Sequence, residues 1–307
     1  MSADGSPRVG LVGCGPWGGN VLRDLTALGS PVLVGARHES SRDRAVAGGA
    51  VFVGSLDELL QQEVDGYVVA VNTRDHAAMV DVLIGTGKPI FVEKPLSDDV
   101  AAARNLALRG AGLVFMMDKW RYHPGVRRMA ELLNSGEMGK VVGVHTRRNQ
   151  RTWHHDCEQP WTLLPHDLAI VEELIGHVPP VQSVAHDRVG DTTYGLIARC
   201  GREPWVVLEC SGRSHTTIRE VSVFCESGTV VLPDGYSESV LVYRDSGKNL
   251  ATEPEESLCP GEWPLLAELR EFVGYLAGGP PPRADVRSGL RHVEIIDAIM
   301  RWSPGDA

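Results

Sequence analysis

Short apolar runs alternate with segments of helical periodicity over the first 118 residues. The apolar runs predict strands at 8–12, 32–35, 51–53, 66–71, 89–92 and 113–117. The periodic segments predict helices at 17–28, 56–62, 75–84 and 98–109. Ser55 and Glu58 form a capping-box pattern, and Ser97 is the expected cap of the fourth helix. Strands that alternate with helices indicate parallel pairing and a doubly wound sheet.

The pattern changes beyond residue 120. Helices are predicted at 125–134 and 164–175, and two more close the chain at 263–277 and 286–302. Strands are predicted at 141–147, 181–186, 194–199, 205–211 and 219–226, with continuations at 230–232 and 240–243. Consecutive strands without helices between them favour antiparallel pairing.

We therefore predict an α/β protein with an N-terminal Rossmann domain, a doubly wound parallel sheet, over residues 1–120. A C-terminal α+β domain with an open, mostly antiparallel sheet is predicted over 121–307, and its last helices can pack back on the first domain.

Composition narrows the possible partners. The 307 residues carry a formal charge of −10, which gives no general attraction for nucleic acid or anionic lipid. No apolar run approaches the ~20 residues that cross a bilayer, and the N-terminus lacks a secretory signal, so we expect a cytoplasmic protein. The six scattered cysteines are expected to be free thiols.

A glycine-rich turn lies between the first strand and the first helix. Gly13, Gly15 and Gly18, with Pro16 and Trp17 between them, match the dinucleotide-binding spacing. The first glycine allows a tight turn, the second lets backbone approach a pyrophosphate, and the third allows close packing of helix and strand. The helix N-terminus then supplies free N–H groups to the anion.

The end of the second strand bears on the choice of cofactor. A carboxylate that would grip the ribose hydroxyls is expected there, but Arg37 stands near that position, with Ser41 and Arg42 following. These side chains suit a 2′-phosphate better than a bare diol. The predicted cofactor is NADP(H), with NAD(H) as the alternative.

Lys94 follows the fifth strand, where ligands of such sheets bind, so we expect it to point toward the cofactor as an acid or base. The segment around Lys94 and three other segments resemble the glucose–fructose oxidoreductase / inositol dehydrogenase (Gfo/Idh/MocA) family. The resemblance covers almost the whole length of the chain. The blocks that carry the resemblance are VGLVGCGPWGGNVLRDL, VDGYVVAVNTRDHAAMVDVLIGTGKPIFVEKPL, WRYHPGVRRMAELLNSGEMGKVVGV and PLLAELREFVGYLAGGPPPRADVRSGLRHVEIIDAI.

The resemblance implies a Rossmann lobe, an open α+β lobe, and a sugar-like substrate in the cleft between them. It implies that Asn72, His76 and Glu93 lie at the cofactor, that Lys94 handles the proton of a sugar or cyclitol hydroxyl, and that Arg121 and Tyr122 border the substrate. It also implies a homodimer or homotetramer.

One position departs from the family pattern. Members carry an Asp and a His four residues apart on a helix of the second lobe, and here these positions are Thr162 and His166. Thr162 supplies no negative charge, although Asp156 is a possible substitute. Three interpretations follow: chemistry by Lys94 and His166 alone, a changed substrate class, or lost activity.

The loop around Trp153, His154 and His155 has residue types that bind metals but no familiar zinc spacing, so no metal is predicted. A polar or phosphorylated substrate is expected to be recognised by basic and aromatic residues of this segment, with a solvated loop as the alternative; these residues are Arg147, Arg148, Arg151, Trp153 and Trp161. The leading hypothesis is an NADP(H)-dependent oxidoreductase, in particular a ketoreductase, acting on a sugar, nucleotide-sugar or cyclitol. The alternatives are an imine reductase on the same scaffold and a non-catalytic dinucleotide-binding regulator.

Overall fold

A computed structural model describes residues 5–152, 157–245 and 249–303. The chain forms two compact units, the first made of Met1–Lys119 and Trp263–Val293, the second of Trp120–Glu262 and Glu294–Ala307. The division falls beside the predicted boundary at residue 120, and part of the closing helical region belongs to the first unit. No helix in the described ranges has the length and apolar character that a membrane crossing requires.

The first unit is built on a six-stranded parallel sheet in the order β3-β2-β1-β4-β5-β6. Its strands are β1 (Val9–Val12), β2 (Val32–Gly35), β3 (Phe52–Gly54), β4 (Gly66–Val69), β5 (Ile90–Glu93) and β6 (Val114–Met117). All residues of β1, β2, β4, β5 and β6 are buried, as expected for a parallel sheet covered by helices on both faces. The predicted doubly wound sheet is confirmed.

Helices connect these strands. They are α1 (Pro16–Ala27), α2 (Glu39–Ala47), α3 (Leu56–Leu60), α4 (Thr73–Ile84) and α5 (Val100–Arg109). The capping box of Ser55 and Glu58 is formed as predicted. The predicted cap of α5 is wrong, because Asp99 accepts the capping hydrogen bond from Ala102 while the Ser97 hydroxyl accepts from the Asp99 amide.

The second unit is built on an eight-stranded sheet in the order β14-β13-β12-β11-β7-β10-β9-β8. Its strands are β7 (Val141–Arg151), β8 (Val181–Val189), β9 (Thr192–Cys200), β10 (Trp205–Ser211), β11 (Arg213–Cys225), β12 (Gly228–Leu232), β13 (Ser239–Arg244) and β14 (Glu255–Leu258). Only the β7–β10 pairing is parallel. The predicted mostly antiparallel sheet is confirmed.

Four helices complete the described chain: α6 (Pro124–Asn134), α7 (Gln159–Ile175), α8 (Pro264–Leu276) and α9 (Val286–Arg301). The predicted start of α7 at residue 164 is wrong. Pro160 occupies the first turn, where a missing N–H costs nothing, and the helix continues through Pro165. Phe272 of α8 stacks on Phe91 of β5 with ring centroids 4.9 Å apart, which places α8 in the core of the first unit.

A buried ion pair joins β7 to α7 in the second unit. The Arg148 guanidinium donates two hydrogen bonds to the Asp167 carboxylate, at 2.9 and 3.1 Å, and lies 4.5 Å from the centroid of the Trp120 ring. Burial raises the pKa of Asp167, and the Arg148 charge opposes that rise. The expectation that Arg148 recognises substrate is therefore wrong, because its guanidinium is buried and paired with Asp167 inside the second unit.

Replacement Arg148→Met should leave Asp167 buried without its cation and lower the free energy of unfolding by about 3–5 kcal/mol at pH 7. Urea unfolding followed by tryptophan fluorescence measures the loss. The Asp167 pKa should rise further in the variant, so the folded state gains protons and the deficit should shrink as the pH is lowered. The control Arg151→Met, at an exposed end of the same strand, should change stability by less than about 0.5 kcal/mol. Equal effects of the two variants would contradict a structural role for the pair.

Candidate active site

The glycine-rich turn has the shape of a pyrophosphate cradle. Gly13 has φ +91°, and a Cβ there would lie 2.6 Å from the Ala70 carbonyl oxygen; at Gly18 it would lie 2.4 Å from the carbonyl oxygen of Gly13. Both glycines are thus fixed by backbone packing. At Gly15, by contrast, a Cβ would meet no described protein atom within 4 Å, so the space above this residue is open.

The first turn of α1 completes this cradle. Gly15 is the N-cap and makes no side-chain cap, and the first turn holds no acidic residue. Its N–H groups therefore remain available to an anion, which is the arrangement that binds a dinucleotide pyrophosphate. Pro16 and Trp17 are exposed on the same turn. The structure fits a dinucleotide at the predicted residues.

Sequence analysis missed a residue that supports the turn from outside it. Arg44 of α2 donates a hydrogen bond of 2.8 Å to the Cys14 carbonyl oxygen, and its side chain lies so close to Gly19 that a Cβ there would approach its Cδ to 2.7 Å. Arg44 lies 30 residues from Cys14, and α2 has almost no apolar periodicity. The sequence pattern therefore indicated neither helix α2 nor the contact of Arg44 with Cys14.

The carboxyl end of β2 carries exposed basic groups and a helix N-terminus. Arg37 is exposed, and its Nη2 atom lies 3.4 Å from Nε2 of His38, the N-cap of α2. Ser41 is half-buried in the first turn of α2, and the Arg42 Nε donates to the Ala36 carbonyl oxygen at 2.9 Å. The first carboxylate after the strand is Glu39, already inside the helix.

Charged side chains meet where β5 and β6 end. The two strands pair with Glu93 opposite Met117, so Lys94 and the residues after Met117 leave the same edge of the sheet. Glu93 is 6% exposed and accepts hydrogen bonds from the Trp17 indole N–H and from the Lys94 amide. The Lys119 Nζ lies 4.4 Å from the centroid of the Trp17 ring. Glu93 thus ties the glycine-rich turn to the strand end that bears Lys94.

Lys94 itself is half-buried, and its ammonium group forms no hydrogen bond or ion pair within the described part of the chain. The Lys94–Pro95 peptide bond is cis. The Pro95 carbonyl oxygen lies 2.6 Å from Nδ1 of His76, whose Nε2 lies 3.2 Å from the Val71 carbonyl oxygen. Burial lowers the pKa of His76, so this imidazole is a neutral support for the Lys94 loop.

Asn72 lies at the carboxyl end of β4 as the N-cap of α4. It is exposed, and its side chain makes no capping hydrogen bond, so the amide is available to a ligand. Sequence analysis named Asn72 but not Glu268, which is completely buried on α8 near Glu93, Lys94, Asp118 and Lys119. Nothing in its spacing distinguishes it from a surface glutamate.

The remaining predicted residues belong to the second unit. His166 is the one residue between Gln159 and Glu172 that is not buried, and its ring stands edge-on to Trp120 with centroids 6.4 Å apart. Thr162 is 7% exposed and donates its hydroxyl hydrogen to the Gln159 carbonyl oxygen at 2.9 Å. Thr162 and His166 thus lie one turn apart on α7, the spacing that the resemblance implies for an Asp and a His.

Arg121 and Tyr122 lie in a short 3-10 helix, Lys119–Tyr122. Arg121 forms a hydrogen-bonded ion pair with Glu172 and lies 3.8 Å from Glu173. Arg121 and Tyr122, which were predicted to border the substrate, are both buried. Their substrate contacts stay a prediction. Trp153, His154, His155 and Asp156 lie outside the described residues. Within 5–152, 157–245 and 249–303, no group of three or more His, Cys, Asp or Glu could hold a metal.

The first unit is similar to known oxidoreductases. Residues 7–117 match the GFO_IDH_MocA family, described as an oxidoreductase family with an NAD-binding Rossmann fold, and the predicted resemblance is confirmed over these residues.

Two curated relatives are inositol dehydrogenases. Inositol 2-dehydrogenase 1 of Saccharopolyspora erythraea is 32% identical over 55% of this chain and 54% of that enzyme, and the chain spans about half the length of the curated relatives it matches first. The inositol 2-dehydrogenase of Gluconacetobacter diazotrophicus is 25% identical over 95% of this chain and 93% of that enzyme.

A solved structure shares the fold of the chain. KijD10, a 3-ketoreductase from Actinomadura kijaniata in complex with TDP-benzene and NADP, superimposes with a TM-score of 0.83 at 19% identity, covering 96% of this chain and 97% of that one.

Alanine replacements at Gly15 and at Gly13 should have different effects. Gly15→Ala should fold normally, because its φ is −66° and no protein atom is near, yet its methyl group should weaken dinucleotide binding at least about tenfold. Gly13→Ala should instead destabilise the first unit, because of the left-handed φ and the contact with Ala70. Thermal unfolding and fluorescence titration with NADPH separate these effects. Unchanged affinity in a folded Gly15→Ala protein would exclude the turn as the pyrophosphate site.

Proposed function

We propose that this protein is an NADP(H)-dependent oxidoreductase that interconverts a ketone and a secondary alcohol on a sugar, a nucleotide-linked sugar or a cyclitol. The favoured direction is reduction of the ketone. The observation that carries the proposal is the position of Lys94, an unpartnered ammonium within the described chain, at the strand edge that also carries the glycine-rich turn. Ligands of doubly wound sheets bind at this edge.

The bound nicotinamide would supply the hydride. Lys94 would donate the proton to the carbonyl oxygen during reduction and would remove it from the hydroxyl during oxidation. Glu93 and His76 hold the loop in which Lys94 lies, and Asn72 is available to the cofactor from the neighbouring strand end. His166 is the proposed second catalytic residue, and Thr162, with its hydroxyl bonded to backbone, contributes no charge.

The proposed preference for NADP(H) rests on the end of β2. Arg37 is exposed and Ser41 lies in the first turn of α2, where a helix N-terminus favours an anion. A guanidinium, a hydroxyl and this N-terminus together suit a 2′-phosphate. The inositol dehydrogenases among the relatives support a polyhydroxylated substrate, and the 3-ketoreductase of the same fold supports a nucleotide-linked keto-sugar. A homodimer or homotetramer stays a proposal.

Replacement Arg37→Asp should reverse the cofactor preference. The carboxylate repels a 2′-phosphate and can accept hydrogen bonds from the ribose hydroxyls, so NADPH affinity should fall by at least about tenfold while NADH affinity holds or rises. Fluorescence titration of both cofactors measures the ratio. Arg74→Asp, an exposed arginine on α4, is the matched control and should leave the ratio unchanged. A wild-type protein that favours NADH would contradict the argument from Arg37.

Replacement Lys94→Met should lower kcat/KM by about 10³-fold or more, because the proton donor is lost, while NADPH affinity stays within about threefold. Initial rates with UDP- or TDP-linked keto-sugars and with keto-inositols measure this loss. The control Lys88→Met removes an exposed lysine of the same unit and should be fully active. Loss of activity equal in both variants would contradict a specific role for Lys94. A wild-type protein that reduces imines but none of these ketones would favour the imine reductase, and one that binds NADPH without any turnover would favour the regulator.

A further inference from the structure

The most unusual buried group in the first unit is Glu268. Its side chain lies on the face of α8 that carries Leu265, Leu269 and Phe272, the face that packs into the hydrophobic core. Glu268 is 0% exposed, and neither of its carboxyl oxygens has a hydrogen-bond partner among the described residues. Ionised carboxylates are almost never left in this condition, because loss of hydration without a compensating partner is costly.

The helix holds this carboxyl against the strand edge that bears Lys94. Phe272, one turn further along α8, stacks on Phe91 of β5, and Glu268 interacts electrostatically with Glu93 and Lys94 at the end of the same strand. From the end of β6, Asp118 and Lys119 act on it as well. Glu268 is therefore a buried acid beside the proposed proton donor.

The charges around Glu268 determine its protonation. Burial raises its pKa most, the Glu93 and Asp118 carboxylates raise it further, and the Lys119 and Lys94 ammonium groups oppose that rise. Two imidazoles belong to the same surroundings. The pKa of His76 is lowered mainly by burial and is influenced by the charges of Glu93 and Lys94, and His292 of α9 lies 4.0 Å from Asp118. The pKa of Glu268 is raised well above its ordinary value, and the absence of a hydrogen-bond partner in the described chain also favours the protonated form of this carboxyl.

We propose that Glu268 is a proton reservoir for Lys94. Glu268 acts only through Lys94 and touches neither substrate nor cofactor. This inference rests on the proposed function of Lys94. In the reducing direction the Lys94 ammonium gives its proton to the substrate oxygen as the hydride reaches carbon, which leaves a neutral amine.

The balancing step is then internal. The O–H bond of the Glu268 carboxyl breaks and an N–H bond forms on Lys94, with the proton relayed across an intervening water molecule, which gives a carboxylate and an ammonium. The two opposite charges stabilise each other where either alone would be costly. In the oxidising direction the same proton returns to Glu268. The reservoir lets Lys94 regain its proton before the product leaves, and Glu268 takes a proton from solvent once the site is open.

The first test uses the protein without substrate. Difference infrared spectra of the wild type against Glu268→Gln should show the carbonyl band of one protonated carboxyl at pH 7, and the control Glu63→Gln, an exposed glutamate of the same unit, should retain that band. In Lys94→Met the band should persist to higher pH than in the wild type, because the opposing positive charge is gone, whereas Lys88→Met should leave the transition unchanged. Absence of the band at pH 7, or an unshifted transition in Lys94→Met, would overturn the proposal.

The second test uses turnover. Glu268→Gln should lower kcat for ketone reduction about a hundredfold, leave NADPH affinity and substrate KM nearly unchanged, and alter the pH profile of kcat. Glu268→Met, apolar and of similar length, should show the same loss if Glu268→Gln folds poorly. A Glu268→Gln enzyme with wild-type kcat and pH profile would overturn the reservoir while the proposed function stands. A wild-type protein with the infrared band but no ketone reduction would instead overturn the proposed function.

Discussion

The close backbone approach at Gly13 is the constraint on which the rest of the first unit depends. A side chain at Gly13 would strike the carbonyl of Ala70 and one at Gly18 would strike Gly13, so β1, the start of α1 and the end of β4 are packed without intervening side chains. This contact sets the N-terminus of α1 over the strand ends. The N-terminus of α1 and the exposed Asn72 after β4 thus share one edge of the sheet, and the dinucleotide cradle follows from packing rather than from any polar side chain.

Electrostatics at the end of β5 follow from the same geometry. Trp17 leaves the glycine-rich turn and donates to Glu93, while Lys119 covers the Trp17 ring, so the glycine-rich turn and the strand end that bears Lys94 are tied through one buried carboxylate. With the Glu93 carboxylate bonded in this way, the Lys94 ammonium remains unpartnered in the described chain. A lysine engaged in a tight ion pair would be a poor donor, so the use of Glu93 elsewhere keeps Lys94 available for chemistry.

Features that depend on local spacing could be predicted from the sequence, whereas those that depend on tertiary burial could not. Apart from Glu93, the strands of the parallel sheet form apolar runs and the glycine spacing is specific, so the fold class and the cradle could be predicted. Helix α2 was not, because Ala45 is its only buried residue and periodicity is almost absent. Strand β14 was missed for a related reason, since an edge strand of sequence EESL has no apolar run. Arg148 looked like a ligand-binding arginine until its partner Asp167 was placed on the facing helix.

Glu268 changes the interpretation of Thr162, which stands where the resemblance implies an aspartate. Thr162 gives its hydroxyl to a backbone carbonyl and offers no charge, which from sequence alone suggests that Lys94 lacks any acidic partner. Yet the first unit holds two carboxyls of its own around Lys94, one hydrogen-bonded at Glu93 and one buried without partners at Glu268. The carboxylate of Glu93 is held in place by its hydrogen bonds, and the unbonded carboxyl of Glu268 can gain or lose a proton. Such a division allows acid–base chemistry without an aspartate at position 162, because charge stabilisation and proton storage are carried by different residues.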